Sequence, residues 1–218
     1  MTLSKDELKN FYFRFFNNEI SLKDFEQWIY ATPEIANDLG EAAYFELASF
    51  NFHQQAAKYE FTKLMNQHII PSEFSTWLFR QSLQNLLDDS LDPVDVFKKL
   101  YSLYDNDEYY FLNDIGILYE IYNPYLEPYG PDTKKYQNLR EMLEKYLPVV
   151  MKEIEIVLAA IDSGKLKIIN LDQYKVRYEI EPDIQEKLDE MKDQITQVKK
   201  QNTPISILMA KKWWKFWK

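Results

Sequence analysis

Apolar side chains recur every three or four positions through most of this sequence, which is the spacing that places them on one face of an α-helix. The first run follows Ser4 and Glu7, whose separation is that of an N-terminal capping box. Its apolar members are Leu8, Phe11, Tyr12, Phe15 and Phe16. Further helices are predicted from Ser21, over about residues 33–39, 41–50, 54–69 and 72–88, and from Pro93. The pattern therefore predicts a mostly α fold, a multi-helix bundle or array.

The longest predicted helix, from Thr133 to Ala160, contains Pro148. Proline inside a helix removes a hydrogen bond, and its ring clashes with the carbonyl four residues earlier, so we expect the helix to be kinked or divided there. After this helix, residues 165–168 and 174–178 alternate between apolar and polar around a turn at 170–173. This alternation predicts one small β-hairpin in an otherwise helical protein.

The last predicted helix begins at Pro182, and its apolar residues are separated alternately by four and three positions, as in a coiled-coil seam. Fewer than three heptads are present, so the pattern fits packing against the rest of the protein as well as a short dimer zipper. The predicted organisation is a helical domain over 1–180 with a terminal hairpin near 165–179, an amphipathic helix over 181–201 and a basic, tryptophan-rich tail over 202–218.

The composition supports a helical fold and removes several kinds of chemistry. Only four of the 218 residues are glycine, which strand-and-turn folds use in hairpins and bulges. There is no cysteine, which excludes disulfides, cysteine-based metal sites and cysteine nucleophiles. His53 and His68 are too far apart on one helix to bind the same metal ion. The sequence has no glycine-rich phosphate loop, nucleophile elbow or dinucleotide fingerprint, so we expect no cofactor and no enzymatic activity.

The charge is unevenly distributed along the chain. The net charge is −9, but four lysines fall within the last eight residues. Without them, 22 basic residues stand against 35 acidic ones, a net charge of −13 over the first 210 residues. Such a protein repels nucleic-acid phosphates and attracts basic proteins, so we expect a protein partner and no nucleic acid.

Neither a signal peptide nor a membrane span is expected. The N-terminus carries charges where a signal peptide needs an apolar run, and the sequence has no stretch of about 18 apolar residues. We therefore expect a cytoplasmic protein, peripheral at the membrane if one of its segments binds lipid.

The first candidate site is the stretch from Tyr101 to Asp132, which holds eight tyrosines and seven acidic residues but no lysine or arginine. Tyrosine offers a large contact area for two side-chain torsions, and carboxylates pair with basic residues of a partner. Two interpretations stay open: alternate tyrosines are core residues with their hydroxyls at the rim, or the stretch is a docking surface. On the second interpretation the partner-binding residues are Tyr101, Tyr104, Asp105, Asp107, Glu108, Tyr109, Tyr110, Asp114, Tyr119, Glu120 and Tyr122.

The second candidate site is the C-terminal tail. As a helix it would gather tryptophan and phenylalanine on one side and lysine on another, which suits the headgroup layer of an anionic membrane. Three interpretations stay open: the tail folds back onto the acidic body, it contacts a membrane or partner, or it is a frayed terminus. The residues predicted to contact a membrane are Lys211, Lys212, Trp213, Trp214, Lys215, Phe216, Trp217 and Lys218.

The segment from Ile20 to Tyr30 reads Ile-Ser-Leu-Lys-Asp-Phe-Glu-Gln-Trp-Ile-Tyr, and it is followed by Leu39-Gly40 and by Tyr44-Phe-Glu-Leu47. This pattern resembles small acidic helical proteins of Gram-positive bacteria that are similar to immunity proteins of polymorphic toxin systems. The resemblance covers residues 11–50 and, in general layout, the helices to about Lys167. It implies a protein that binds and neutralises a toxin from neighbouring cells, and it transfers no catalytic residue. The Trp-Lys tail departs from the pattern.

The sequence thus favours an immunity or inhibitor protein that masks a basic toxin through an acidic, tyrosine-rich surface around residues 101–132. The alternative is a membrane-peripheral adaptor or regulatory protein that binds anionic lipid through its tail. A third interpretation, an enzyme of unrecognised type, would need two carboxylates at catalytic separation in a deep pocket.

Overall fold

The computed structural model describes residues 3–88, 90–105, 109–122, 133–172 and 175–202, apart from the side chains of residues 110, 113, 120–122, 170–176 and 202. Within these ranges the chain forms eleven α-helices and one two-stranded antiparallel sheet, and it is 75% helical. The predicted fold class is therefore confirmed.

The chain divides into two compact units, Met1–Trp77 and Leu78–Lys218. The division falls within one helix, and the hairpin and the last helix both belong to the second unit. The domain over residues 1–180 and the separate helix over 181–201 stay a prediction.

The helices of the first unit begin where the sequence provides caps. Ser4 accepts a hydrogen bond from the Glu7 amide and donates its own amide to the Glu7 carboxylate at 2.7 Å, which confirms the capping box. Ser21 caps the second helix through the Asp24 amide at 3.1 Å. The helices are α1 (Lys5–Phe16), α2 (Leu22–Ala31), α3 (Ile35–Leu39), α4 (Glu41–Ala48), α5 (Ala57–Met65) and α6 (Pro71–Gln84), which continues into the second unit.

One helix of the first unit is shorter than predicted. The sequence pattern extends over 54–69, but α5 begins only at Ala57 because Ala56 adopts a left-handed conformation with φ of 58°. A residue in this conformation cannot continue a right-handed helix. Gly40, between α3 and α4, also has a positive φ, of 92°, a backbone conformation that glycine adopts without a steric penalty.

Aromatic side chains build the core of the first unit. Phe25 is fully buried, and its ring centroid lies 4.4 Å from that of Phe15 and 5.6 Å from that of Phe61. Trp28 and Phe11 stack on each other at 4.1 Å beside this group. Such ring pairs contribute about 0.5–1.5 kcal/mol each beyond the burial of their area, so this cluster is a main source of stability in the first unit.

The described residues of the second unit form five α-helices that lie wholly within it, and the hairpin. Its elements are α7 (Pro93–Asp105), α8 (Asn113–Tyr122), α9 (Lys134–Glu144), α10 (Leu147–Asp162), β1 (Leu166–Asp172), β2 (Lys175–Ile180) and α11 (Pro182–Asn202), with short 3-10 helices at Asn85–Leu87 and Tyr110–Leu112. Pro148 lies in the first turn of α10, where its missing N–H removes no helical hydrogen bond. The predicted division of the helix at this proline is confirmed.

The hairpin is longer than predicted. Leu166 pairs with Ile180 at one end and Asp172 pairs with Lys175 at the other, so Asn170, which we expected in the turn, lies within β1 opposite Arg177. The register shifts between Ile168 and Asn170, and this irregularity interrupts the simple alternation by which the strand was recognised.

The coiled-coil spacing of α11 serves packing within the second unit. Helix α11 contacts α8 and α10. Four of the five residues of its seam are buried, and the fifth, Val198, is half-buried against the same core; the four are Ile184, Leu188, Met191 and Ile195. Of the two interpretations that the spacing left open, packing against the protein is the one found.

Helices α7 and α8 approach each other closely at Gly116. A Cβ placed on Gly116 would lie 2.6 Å from Cβ of Tyr104, far inside van der Waals contact. Because Cβ of Tyr104 is attached to the α7 backbone, rotation of its side chain would not relieve the clash. The absence of a side chain at this position therefore allows α8 to pack closely against the C-terminal end of α7.

We expect Gly116→Ala to destabilise the protein by about 1–3 kcal/mol, because the added methyl group overpacks the contact between α7 and α8. In a helix without such a contact the same change stabilises by up to about 1 kcal/mol, so the sign of the effect is diagnostic. Urea unfolding measures it, with Asn138→Ala at an exposed position of α9 as the control, expected within about 0.5 kcal/mol of wild type. A stabilising Gly116→Ala would contradict the close approach.

Candidate functional site

The structure describes the side chains of six of the eleven residues predicted to bind a partner. They are Tyr101, Tyr104, Asp105, Tyr109, Asp114 and Tyr119. Asp107 and Glu108 lie outside the described residues, as do the side chains of Tyr110, Glu120 and Tyr122. Residues 123–132 and the whole tail from Lys211 to Lys218 also lie outside them.

Two of the six residues belong to the core. Tyr109 and Tyr119 are both buried. The ring of Tyr109 stacks on that of Phe79, with centroids 4.0 Å apart and planes at 22°. A partner could not reach these rings without unfolding the protein, so we leave both residues out of any proposed docking surface. For these two tyrosines the core interpretation is the one that fits.

Three of the six residues form a surface at the end of α7. Tyr101, Tyr104 and Asp105 are separated by three and four positions, which places them on one side of the helix. The two tyrosines are half-buried, with ring centroids 6.5 Å apart, and Asp105 is exposed. We call these three residues the α7 surface. Lys98 and Lys99 are exposed about one turn earlier, so the surface is acidic only toward the C-terminal end of the helix.

Asp114, the sixth residue, lines a cavity rather than the α7 surface. Its Oδ2 lies 3.1 Å from Nζ of Lys192 on α11. The cavity has a volume of about 180 Å³, and its lining comes from the 3-10 helix, α8, α10 and α11. We call it the acidic cavity; its lining residues are Phe111, Asp114, Glu153, Gln185, Leu188, Asp189 and Lys192.

The most unusual group in the acidic cavity is Glu153. Its exposed fraction is only 3%, and its Oε2 has no hydrogen-bond partner among the described residues. Burial, and to a lesser extent the charge of Asp114, raise the pKa of Glu153 to about 8, so the carboxyl is mostly protonated at neutral pH. A buried carboxyl with a pKa near the working pH can take up or release a proton when a charge arrives beside it.

Sequence reasoning missed Glu153, although the helical pattern contains a signal for it. Val150, Ile154 and Val157 form the buried stripe of α10, and Glu153 falls within the same stripe. A charged residue at a position where the periodicity requires an apolar one is rare in proteins unless it is paired or functional. The tyrosine-rich stretch was predicted as a site because its amino-acid composition alone is unusual.

Sequence reasoning also missed a group of exposed aromatic residues in the first unit. Tyr30, Phe45 and Tyr59 are all more than half exposed, and the ring of Tyr30 meets that of Phe52 edge-on at 6.3 Å. This ring pair borders a shallow groove of about 450 Å³ beside α2, which Glu26 and four further residues also line. The segment that resembles immunity proteins thus contributes to the core and, through Tyr30, to the surface.

Among the described residues, no three histidine, aspartate or glutamate side chains are placed to hold one metal ion. In the same part of the chain, no helix has both the length and the apolar character needed to cross a membrane. Comparison of the chain with known protein families, with curated proteins and with solved structures finds no match. The resemblance of residues 11–50 to immunity proteins stays a prediction.

Proposed function

We propose that this protein is an inhibitor of the immunity type, which binds a basic toxin and neutralises it through the α7 surface and the acidic residues that follow it. The observation that supports this most is that two half-buried phenol rings, Tyr101 and Tyr104, adjoin the exposed carboxylate of Asp105 on one side of α7. From Tyr101 to Asp132 the chain has no lysine or arginine that would oppose a basic partner.

An inhibitor of this type needs contact area and matching charge rather than reactive groups. A stable interface takes about 800 Å² from each partner, which is far more than three residues provide. A few central residues nevertheless carry most of the binding energy, and tyrosine is enriched among them. The negative charge of the chain, −9 in total, would also speed the encounter with a basic protein.

We expect Asp105→Lys to weaken binding to the toxin about tenfold or more, chiefly by slowing association, because it places a positive charge where the partner is basic. The resemblance to immunity proteins implies that the toxin is encoded by the adjacent gene. The affinity of the purified pair, measured at two salt concentrations, gives the result. Co-expression shows whether the chain protects cells from the toxin and whether the variant loses this protection.

Glu155→Lys is the matched control for this experiment. Glu155 is exposed on α10, and the substitution changes the net charge by the same amount as Asp105→Lys. We expect it to reduce affinity less than about threefold, since only long-range attraction is affected. Equal losses in the two variants would show that the α7 surface is not the docking site. The absence of any complex with the adjacent gene product would count against the inhibitor function itself.

A further inference from the structure

We propose that the acidic cavity is a binding site for a guanidinium group, carried either by a small molecule or by an arginine side chain of a peptide or protein. The site shares only Asp114 with the acidic residues that follow the α7 surface, and it does not depend on the inhibitor function. It rests on the arrangement of the charged groups around the cavity, on the size of the cavity and on the buried Oε2 of Glu153.

Three carboxyl groups from three different helices line the cavity, together with one lysine side chain. Asp114 comes from α8, Glu153 from α10 and Asp189 from α11, and among the described residues of the lining only Lys192 is basic. With all groups ionised, the lining carries two more negative charges than positive ones. The site therefore has the charge to receive a further cation.

Two of the three carboxylates already have partners, whereas the third has none within the described part of the chain. Asp114 pairs with Lys192, and Oδ1 of Asp189 accepts a hydrogen bond from Nε2 of Gln185 at 3.2 Å. Glu153 is the most buried of the three, and its Oε2 has no partner among the described residues. Buried polar atoms in proteins are nearly always hydrogen-bonded, so this oxygen can accept a hydrogen bond from a donor that enters the cavity.

The dimensions favour a small planar cation. A cavity of about 150 Å³ is enough to hold benzene, and guanidinium is smaller than benzene, so a cavity of about 180 Å³ can accept it with a water molecule beside it. Larger ligands occupy pockets of about 300 Å³ or more, which exceeds this volume.

The chemistry of the lining favours guanidinium over ammonium. Guanidinium is more weakly hydrated than ammonium, so it loses less on entering a buried site, and its fork of N–H donors matches a carboxylate. Phe111 adds an aromatic ring to the lining, and guanidinium groups interact favourably with such rings. A metal ion is a weaker candidate, because no three carboxylates of the described chain are placed to coordinate one.

Binding should be coupled to the release of a proton. Burial and the charge of Asp114 hold the pKa of Glu153 at about 8, and a cation beside the carboxyl favours its ionised form. The other groups facing Glu153 are Gln185, Asp189 and Lys192, and the hydrogen bond from Lys192 to Asp114 raises the pKa of Lys192, which keeps this lysine charged. Affinity for guanidinium should therefore rise by up to about tenfold per pH unit between pH 6 and pH 8 and level off above about pH 9.

The experiment is a calorimetric titration of the full-length protein with methylguanidinium at pH 6, 7, 8 and 9, in pairs of buffers with different ionisation enthalpies. We expect binding that strengthens up to pH 8 and releases close to one proton at pH 7. Tetramethylammonium, which has the same charge but no N–H donors, should not bind. A short peptide with one arginine distinguishes the two sources, because tighter binding than that of methylguanidinium would identify a side chain as the natural occupant.

Two variants with opposite expected effects make the test specific. Glu153→Gln preserves the shape of the protonated carboxyl, and we expect it to reduce affinity at pH 8 at least about tenfold and to abolish proton release. Lys192→Gln removes the competing cation and should tighten binding several-fold. Glu155→Gln, on the exposed side of α10, is the control and should behave as wild type. Absence of methylguanidinium binding to wild type at pH 9, or equal binding to wild type and Glu153→Gln, would overturn the proposal.

Discussion

Replacing Glu153 with glutamine should raise the stability of the protein by no more than about 1 kcal/mol at pH 5 and by about 4 kcal/mol at pH 8. The reason is the difference between the pKa of about 8 that this carboxyl has in the folded protein and its ordinary value of 4.5. Between these two values the folded state keeps a proton that the unfolded state has already lost. Raising the pH therefore favours unfolding of the wild type by about 1.4 kcal/mol per pH unit, and the loss is nearly complete once the pH exceeds 8.

Urea unfolding at pH 5, 6.5 and 8, followed by circular dichroism, measures the difference between the Glu153→Gln variant and wild type. The difference should increase steadily with pH, because glutamine has the shape of the protonated acid but cannot ionise. Glu155→Gln is the control: this residue is exposed on the same helix, and its effect should stay within about 0.5 kcal/mol across the series. A Glu153→Gln effect that did not vary with pH would show that the carboxyl is not held protonated in the fold.

The second large effect is expected for Phe25→Ala, which should destabilise the first unit by about 3–5 kcal/mol. Phe25 is fully buried and lies within ring-contact distance of five other aromatic residues. These residues are Phe11, Tyr12, Phe15, Trp28 and Phe61. Truncation removes the contacts with all five and leaves a cavity that rigid rings cannot fill easily.

Phe45→Ala provides a matched control, since the substitution is chemically identical and the ring of Phe45 is 74% exposed. We expect the stability of this variant to stay within about 0.5 kcal/mol of wild type. Denaturant unfolding of both variants followed by tryptophan fluorescence is a suitable measurement, because Trp28 lies 5.3 Å from Phe25, centroid to centroid. Similar stabilities for the two variants would contradict the central place of Phe25 in the core.

Those parts of the fold that depend on local chemistry could be predicted from the sequence. The starts of α1 and α2 follow from Ser4 and Ser21. Their hydroxyl oxygens accept hydrogen bonds from backbone amides of the first helical turn, which have no partner within the helix. The division before α10 follows from Pro148, which cannot occupy a helix interior. These features are decided within a few residues, so no knowledge of the rest of the fold is needed.

Other features depend on distant contacts and could not be predicted. Nothing in the chemistry of Ala56 indicates its left-handed conformation, and this residue sets the start of α5. Helix α8 was not predicted, since Gly116 is a poor helix former. The lack of a side chain at Gly116 is useful only because α7 passes close to it, which the sequence does not show. For the candidate site, composition identified the tyrosine-rich stretch, but only packing decides that Tyr109 is buried while Tyr101 stays at the surface.

The irregularity in β1 has a consequence for the behaviour of the protein in a crowded solution. Each strand of a two-stranded sheet has one side whose backbone groups another chain could pair with, and such edges promote aggregation. Ile169 lies at the register shift between Ile168 and Asn170, and its side chain is 48% exposed. An extending strand would meet a bent, mismatched row of donors and acceptors there, so the irregularity disfavours growth of an intermolecular sheet along β1.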